Sequence, residues 1–366
     1  MLKKILWLIL IIVIVIILYF VAWPVPIDPV AWEAPPNPGY KGPFAVNNRL
    51  QGIETFPIAD NHGPEDIALD SQGRIYASTH EGRIVRLQSD GSNPENWVDT
   101  KGRPLGIDFD RKGNLIVADG FRGLLSIAPD GNITELATTA DGVPIRFADD
   151  VDVAADGKIY FSDASTKFGA KERGATYEAS LLDLMEHGGH GRLLMYNPAT
   201  GKAKTLLDGL NFANGVAVSH DQNSVLVNET GSYRVVRLWI AGSKKGKVET
   251  LIASLPSFPD NISVGRGGRY WVALVSPRNP LVDKLSGKPF VRKVIQRMPA
   301  FMRPKAIAYG HIIAIDDKGN VIEDLQDPDG SYPINTSVTE TEDFLYIGSL
   351  FTPVLGRLKK EKVGLY

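Results

Sequence analysis

Asn214 opens an alternating, strand-like run, "NGVAVSHDQNSVLVNET", and a buried amide at such a place must find hydrogen-bond partners or a metal ion. The phrase recurs: "EDIALDSQGRIYAST" begins at Glu65, "LGIDFDRKGNLIVAD" at Leu105, "DDVDVAADGKIYFSD" at Asp149, "DNISVGRGGRYWVAL" at Asp260 and a weaker "TSVTETEDFLYIGSL" at Thr336. Aligned by phase, the first positions read Glu65, Leu105, Asp149, Asn214, Asp260 and Thr336, and the next read Asp66, Gly106, Asp150, Gly215, Asn261 and Ser337. Carboxylates facing one another around a narrow channel raise one another's pKa unless a cation offsets them. Every ligand on offer is an oxygen, with no His or Cys at these phases, which favours Ca²⁺ over zinc or copper. The ligand set read from phase is Glu65, Asp149, Asn214, Asp260 and Asn261. Because Ca²⁺ takes about six to eight oxygens, water or substrate completes the shell. The competing reading makes each of these a turn residue capping a strand start.

The elements that position such a ring are legible in the same repeats. Each copy is an alternating strand, a polar turn and a second alternating strand, the pattern of a β-hairpin. The starts are 40, 44, 65, 46 and 76 residues apart, so the unit is about 40–46 residues and two gaps hold insertions. Third strands follow in "GRIVRLQ", "GLLSIAP", "GRLLMYNP" and "YRVVRLWIAG". One four-stranded blade per copy predicts an all-β, six-bladed β-propeller whose first strands line the channel.

Charge is balanced, with 40 Lys plus Arg against 42 Asp plus Glu, and nucleic-acid partners are not expected. The chain has no cysteine, which removes disulfides, thiol nucleophiles and zinc–thiolate sites. After Lys3 and Lys4 come nineteen residues without charge, Ile5 to Trp23, ending in the interface-type aromatics Tyr19, Phe20 and Trp23. An uncleaved transmembrane helix over 1–23 is expected, with the N-terminus cytoplasmic and the rest periplasmic, lumenal or extracellular. Residues 24–43 hold seven prolines and read as an extended linker, with the propeller over 44–366.

The stretches "FADDVDVAADGKIYFSDAS", "GLNFANGVAVSHD", "VNETGSYRVVRLWIAG" and "LPSFPDNISVGRGGRYWVAL" resemble the strictosidine synthase-like family, the group that includes the adipocyte plasma membrane-associated proteins. The resemblance runs from about Gly63 to the C-terminus and extends more distantly to the paraoxonase and gluconolactonase (senescence-marker) propellers. It implies a catalytic calcium on the same five residues, with Asp149 where Asn is more usual. It also implies a second, structural calcium at Asp66 and Asp150, near the carbonyl of Ile107. The glutamate of the plant synthases falls on Thr336, so strictosidine synthase chemistry is not expected. The paraoxonase histidine pair falls on Leu105 and near Gly120, neither of which moves a proton.

An open, oxygen-ligated calcium suits hydrolysis of esters or lactones, an arylesterase- or lactonase-like activity on small molecules. The general base is then His80 or Asp260 itself; Asp163 and Glu229 are expected at the same mouth. No G-x-S-x-G, H-E-x-x-H or P-loop is present, and His187 and His190 read as loop residues at a helix end. The rival reading is a non-catalytic propeller that binds a lipid, metabolite or protein partner around a structural calcium. Two insertions complete the expectation. One carries a helical pattern through Leu181, Leu182 and Met185 over the channel mouth. The other, within 275–305, carries an apolar stripe of Val291, Val294, Ile295 and Met298 flanked by Arg292, Lys293 and Arg297. It is expected on the membrane surface, as a lid, or packed on the propeller.

Overall fold

A computed structural model describes residues 1–365. Six four-stranded antiparallel sheets form a ring, five of them with their strands in chain order from the axis outward. The innermost strands are Ile67–Leu69, Pro104–Phe109, Ala148–Val153, Ala213–Val218, Ser257–Val264 and Asn335–Glu340, as the repeats predict. The last blade is completed by Glu54–Pro57, which pairs with Val354–Lys359 and so joins the two ends of the propeller chain. Alternation puts apolar residues of adjacent blades together. Tyr160, Leu193 and Met195 of the third blade pack with Val216, Val218 and Val227 of the fourth.

Polar side chains stitch the inner strands of successive blades. Asp66 accepts the Ile107 N–H at 2.9 Å, Asp108 that of Val153 at 2.9 Å and Asp150 that of Val216 at 2.7 Å. At the closure the donors reverse: the hydroxyls of Thr336 and Ser337 donate to the Glu65 carbonyl at 2.6 and 2.9 Å. Each such bond satisfies a backbone group that blade edges would otherwise leave unpaired.

The apolar N-terminus is one helix, α1 (Leu2–Ala22), none of whose residues is buried and which is long and apolar enough to cross a membrane. Residues 24–43 are extended but lie on the propeller. Ile27 is fully buried among Leu105, Phe147, Phe168 and Ile295. Helix α2 (Thr176–Glu186) forms where the first insertion predicts it; α3 (Pro280–Lys284) and α4 (Pro289–Gln296) belong to the second. α2 and α3 line the mouth at which the inner strands begin, and α4 packs against α2. Of the stripe, Ile295 in α4 and Met298 just beyond it face this core while Val291 is exposed, and the flanking Arg292 and Arg297 are buried. Both spend their guanidinium donors on backbone carbonyls, Arg292 on Met185 and Val30 and Arg297 on Trp23 and Phe20.

His187, the C-cap of α2, stacks on Trp32 at 3.8 Å and holds the linker in place. Burial, with Arg292 and Arg234 nearby, pushes its pKa from 6.5 down to about 3. The folded state therefore refuses a proton that the unfolded chain accepts, and stability falls as pH drops from about 6.5 toward about 3. Asp183, pushed up to about 7 by burial, works the other way, losing its contribution as pH rises through that value. His187→Gln should flatten only the acid limb: the loss of Tm between about pH 7 and about pH 5 should be smaller than in the wild type. Parallel curves would show that His187 is not the sensitive group.

Candidate metal centre

The ring residues owe their direction to a local irregularity. In five inner strands the register shifts at the two phase positions, between Pro104 and Ile107, Ala148 and Val151, Ala213 and Val216, Pro259 and Ile262, and Asn335 and Val338. Such bulges re-aim side chains. Here they let consecutive residues serve opposite ends of the channel. Glu65, Asp149, Asn214 and Asp260 line a cleft under α2, whereas Asp66, Asp150 and Asn261 line the channel beyond it. Gly215 follows Asn214 because a Cβ there would stand 2.3 Å from the Ile262 nitrogen of the next blade.

The ring is interlinked through its amide nitrogens. Asn214 donates to an Asp260 carboxylate oxygen, and Asn261 donates to Glu65 Oε1 at 2.9 Å. Asn228, on the second strand of the fourth blade, donates to the Asp260 carbonyl at 2.6 Å. What remains unpaired is oxygen. Glu65 Oε2, Asp149 Oδ2, Asn214 Oδ1, Asn228 Oδ1 and Asn261 Oδ1 are all buried without a hydrogen-bond partner. An orphaned buried acceptor costs about 1–3 kcal/mol, so five around one channel call for a shared donor of positive charge. Among the described residues no three His, Cys, Asp or Glu side chains form a metal-binding group by themselves. An ion at this place would need a mixed donor set, with amide oxygens supplementing carboxylates.

Electrostatics points the same way. Burial, then Asp260, Asp66 and Asp149, hold Glu65 well above the usual carboxylate range. Burial and then Asp260 do the same to Asp149. Burial raises Asp260 to about 7 against the opposing Asn214 hydrogen bond. Among the described residues the nearby cation is Arg103, only 2% exposed, whose charge opposes the shifts of Glu65 and Asp149. Its Nε and Nη2 lack partners. With Glu65, Asp149 and Asp260 ionised, one guanidinium would not offset their charge. Oxygen-only donors of this mixed kind fit calcium.

The other sequence-predicted residues divide. His80 stands beside His62, ring centroids 4.7 Å apart, and does not line the cleft; its Nδ1 is buried without a partner. Burial, Arg103 and His62 push its pKa down. Asp163 and Glu229 reach the expected mouth but are fully engaged. Asp163 pairs with Arg192 at 2.8 Å, and Glu229 pairs with Arg234 and receives Asn211 and Ser232. Asp66 and Asp150 each accept two backbone N–H groups; burial raises both, and the Asp66 carboxylate raises Asp150 further. Asn228 was not anticipated.

Above the ring the cleft is apolar, walled by Leu105, Phe147, Leu181, Leu184, Phe212 and Phe258 and enclosing about 1010 Å³, counting the part open to solvent. The family described as strictosidine synthase matches residues 149–243, and the strictosidine synthase-like N-terminal family matches 42–87. The adipocyte plasma membrane-associated protein of Rattus norvegicus is 33% identical over 363 residues, covering 92% of this chain and 94% of its own. The chain belongs to the strictosidine synthase-like family. Within it, strictosidine synthase-like protein 13 of Arabidopsis thaliana is 34% identical over 339 residues, covering 82% of each chain. Among solved structures, a gluconolactonase from Xanthomonas campestris superposes with a TM-score of 0.61 at 18% identity, over 90% of this chain and 99% of its own. A calcium-binding regucalcin from Agrobacterium tumefaciens gives 0.58 at 14% identity, over 84% and 93%. At these identities the likeness is one of fold.

Proposed function

We propose that the chain is a membrane-anchored, calcium-dependent hydrolase of apolar esters or lactones. The observation that carries this reading is the set of unpartnered oxygens on Glu65, Asp149, Asn214 and Asn228 beneath an apolar cleft. Bound by these residues together with Asp260 and Asn261, calcium would supply a Lewis acid for the carbonyl and a charge for the oxyanion. The chain's own residues do the rest. Leu105, Phe147, Phe212 and Phe258 exclude water and seat the apolar part of the substrate. Asp260, at the floor of the cleft, takes the proton of the attacking water, and Asn214 fixes its carboxylate through the amide nitrogen. Arg103 offsets the negative charge that Glu65 and Asp149 share. A second ion between Asp66 and Asp150 would offset their mutual repulsion.

The gluconolactonase neighbour supports a lactone-opening chemistry on this fold, and the regucalcin neighbour supports calcium. Lys3 and Lys4 on the N-terminal side of α1, and a relative named as plasma membrane-associated, support an anchored propeller outside the cytoplasm. Leu105 in the cleft, where a proton-moving histidine would strengthen the hydrolase reading, favours the binding propeller as its rival. The deciding measurement is hydrolysis of aryl acetates and lactones by the full chain, with calcium and with chelator. Turnover that disappears with chelator and returns with calcium is expected. No turnover across the panel with calcium demonstrably bound transfers the site to the rival.

A further inference from the structure

The second insertion, residues 279–307, touches both α1 and the cleft. Arg297 donates through Nε to the Trp23 carbonyl at 2.6 Å and through Nη1 to that of Phe20 at 2.9 Å. The Tyr19 hydroxyl donates back to the Arg297 carbonyl at 3.0 Å. These bonds satisfy carbonyls that the end of a helix leaves orphaned, and they fix α4 to the last turn of α1. Lys293 adds an ion pair to Asp28 at 2.7 Å, and Arg292 holds the Val30 carbonyl. α1 is thus tied to the propeller at its C-terminal end.

At its other end the insertion forms the rim of the cleft through Asn279, Val282, Pro304, Lys305 and Ala306. The Tyr177 hydroxyl of α2 accepts the Ala306 N–H at 3.0 Å, and the Tyr177 ring packs edge-on against Phe351. Around these two attachments the insertion exposes large apolar side chains: Phe301 is 80% exposed, Phe290 56%, Met302 52%, Ile307 49% and Leu281 45%. Burying such groups elsewhere in the protein would be favourable, and a monomer rarely leaves so many together without a partner. The segment carries seven basic residues and one acidic, and Lys284, Lys288 and Lys305 are exposed among the apolar ones.

We propose that this face docks on the phospholipid surface of the membrane that α1 enters. The inference rests on the reading of α1 as an anchor. Its occupant follows from the clamp: a helix inserted up to Trp23 brings residues bonded to Trp23 and Phe20 to the headgroup layer. There exposed Phe and Met enter the acyl boundary and lysines meet lipid phosphates. The cleft then opens against the bilayer, and the ligand it admits is one dissolved in lipid.

The absence of cysteine makes a clean test available, because each introduced thiol carries the only label. The full chain is reconstituted in phosphatidylcholine nanodiscs containing 5-doxyl or 12-doxyl lipid. Fluorescent probes are placed by Val13→Cys in α1, Phe290→Cys and Phe301→Cys on the face, Lys305→Cys at the rim, and Lys112→Cys in a hairpin turn at the opposite mouth. Loss of fluorescence at 290, 301 and 305 with the shallow quencher, at 13 with the deep one, and at 112 with neither is expected. Quenching at 13 with 290, 301 and 305 behaving as 112 overturns the docking face and leaves that surface to a protein partner. No quenching at 13 overturns the anchor, and the docking face with it.

Discussion

Alanine at Asn214, Glu65 or Asp260 should abolish the rise in Tm that calcium gives the wild type, and chelator should do to the wild type what each substitution does. A ligand bound only by the folded state adds RT ln(1 + [L]/Kd), about 2.7 kcal/mol at about a hundredfold excess over Kd. In a chain of this size that is a shift of several degrees. The substitutions act by different routes to one result. Asn214→Ala removes a neutral oxygen and the donor that fixes Asp260, whereas Glu65→Ala removes charge and frees the Asn261 amide. Asn228→Ala, which also removes an unpartnered oxygen, should weaken binding without ending it. The effect depends on pH with a definite sign. Asp260 at about 7, and Glu65 and Asp149 well above their ordinary values, favour their protonated forms in the fold when no cation is bound. The metal-free fold therefore loses stability as pH rises from about 4 through about 7, while calcium needs the ionised ligands. The calcium-induced increase in Tm should grow over that interval. Equal Tm with calcium and with chelator at about pH 8, together with no metal in the purified protein, would remove the centre.

The blades and most of this centre were legible in the sequence because a propeller converts sequence phase into position around an axis. What phase could not supply is where a strand breaks its own alternation. The bulge at Asp149–Asp150 aims neighbouring residues at opposite ends of the channel, the one at Asp260–Asn261 leaves Asn261 spanning both, and nothing in "DDVDV" or "DNISV" signals an extra residue. Asn228 was missed for the complementary reason. Glu229 at the same strand end is the more conspicuous residue, but alternation turns Glu229 toward Arg234 and Asn228 toward the axis. The closing strand Glu54–Pro57 is too short to carry a period and owes its place to the opposite end of the chain. Arg103 lies before Pro104 in what reads as a loop, and only burial reveals it as the counter-charge of the ring. The basic residues of α4 illustrate the same limit. The sequence places them only as flanks of an apolar stripe, whereas Arg292 and Arg297 are consumed by carbonyls of the linker and α1.

Asp260→Asn should lower kcat/KM by about 10²–10⁴ while leaving calcium bound, because an amide keeps one oxygen ligand but cannot accept a proton. The geometry favours Asp260 over His80 as the base: Asp260 lines the cleft and is held by Asn214, whereas His80 lies outside it. A base must be deprotonated to act, so kcat/KM should rise with pH through the pKa of Asp260. That value is about 7 without a cation, and a neighbouring divalent charge moves it lower. His80→Gln should leave that rise in place and change the rate much less, since the imidazole is held below its ordinary pKa by burial, Arg103 and His62. The two variants are compared with metal content measured on the same samples. If Asp260→Asn hydrolyses as fast as the wild type and His80→Gln does not, the proton passes to the histidine. If both keep the wild-type rate with calcium bound, neither side chain is the base.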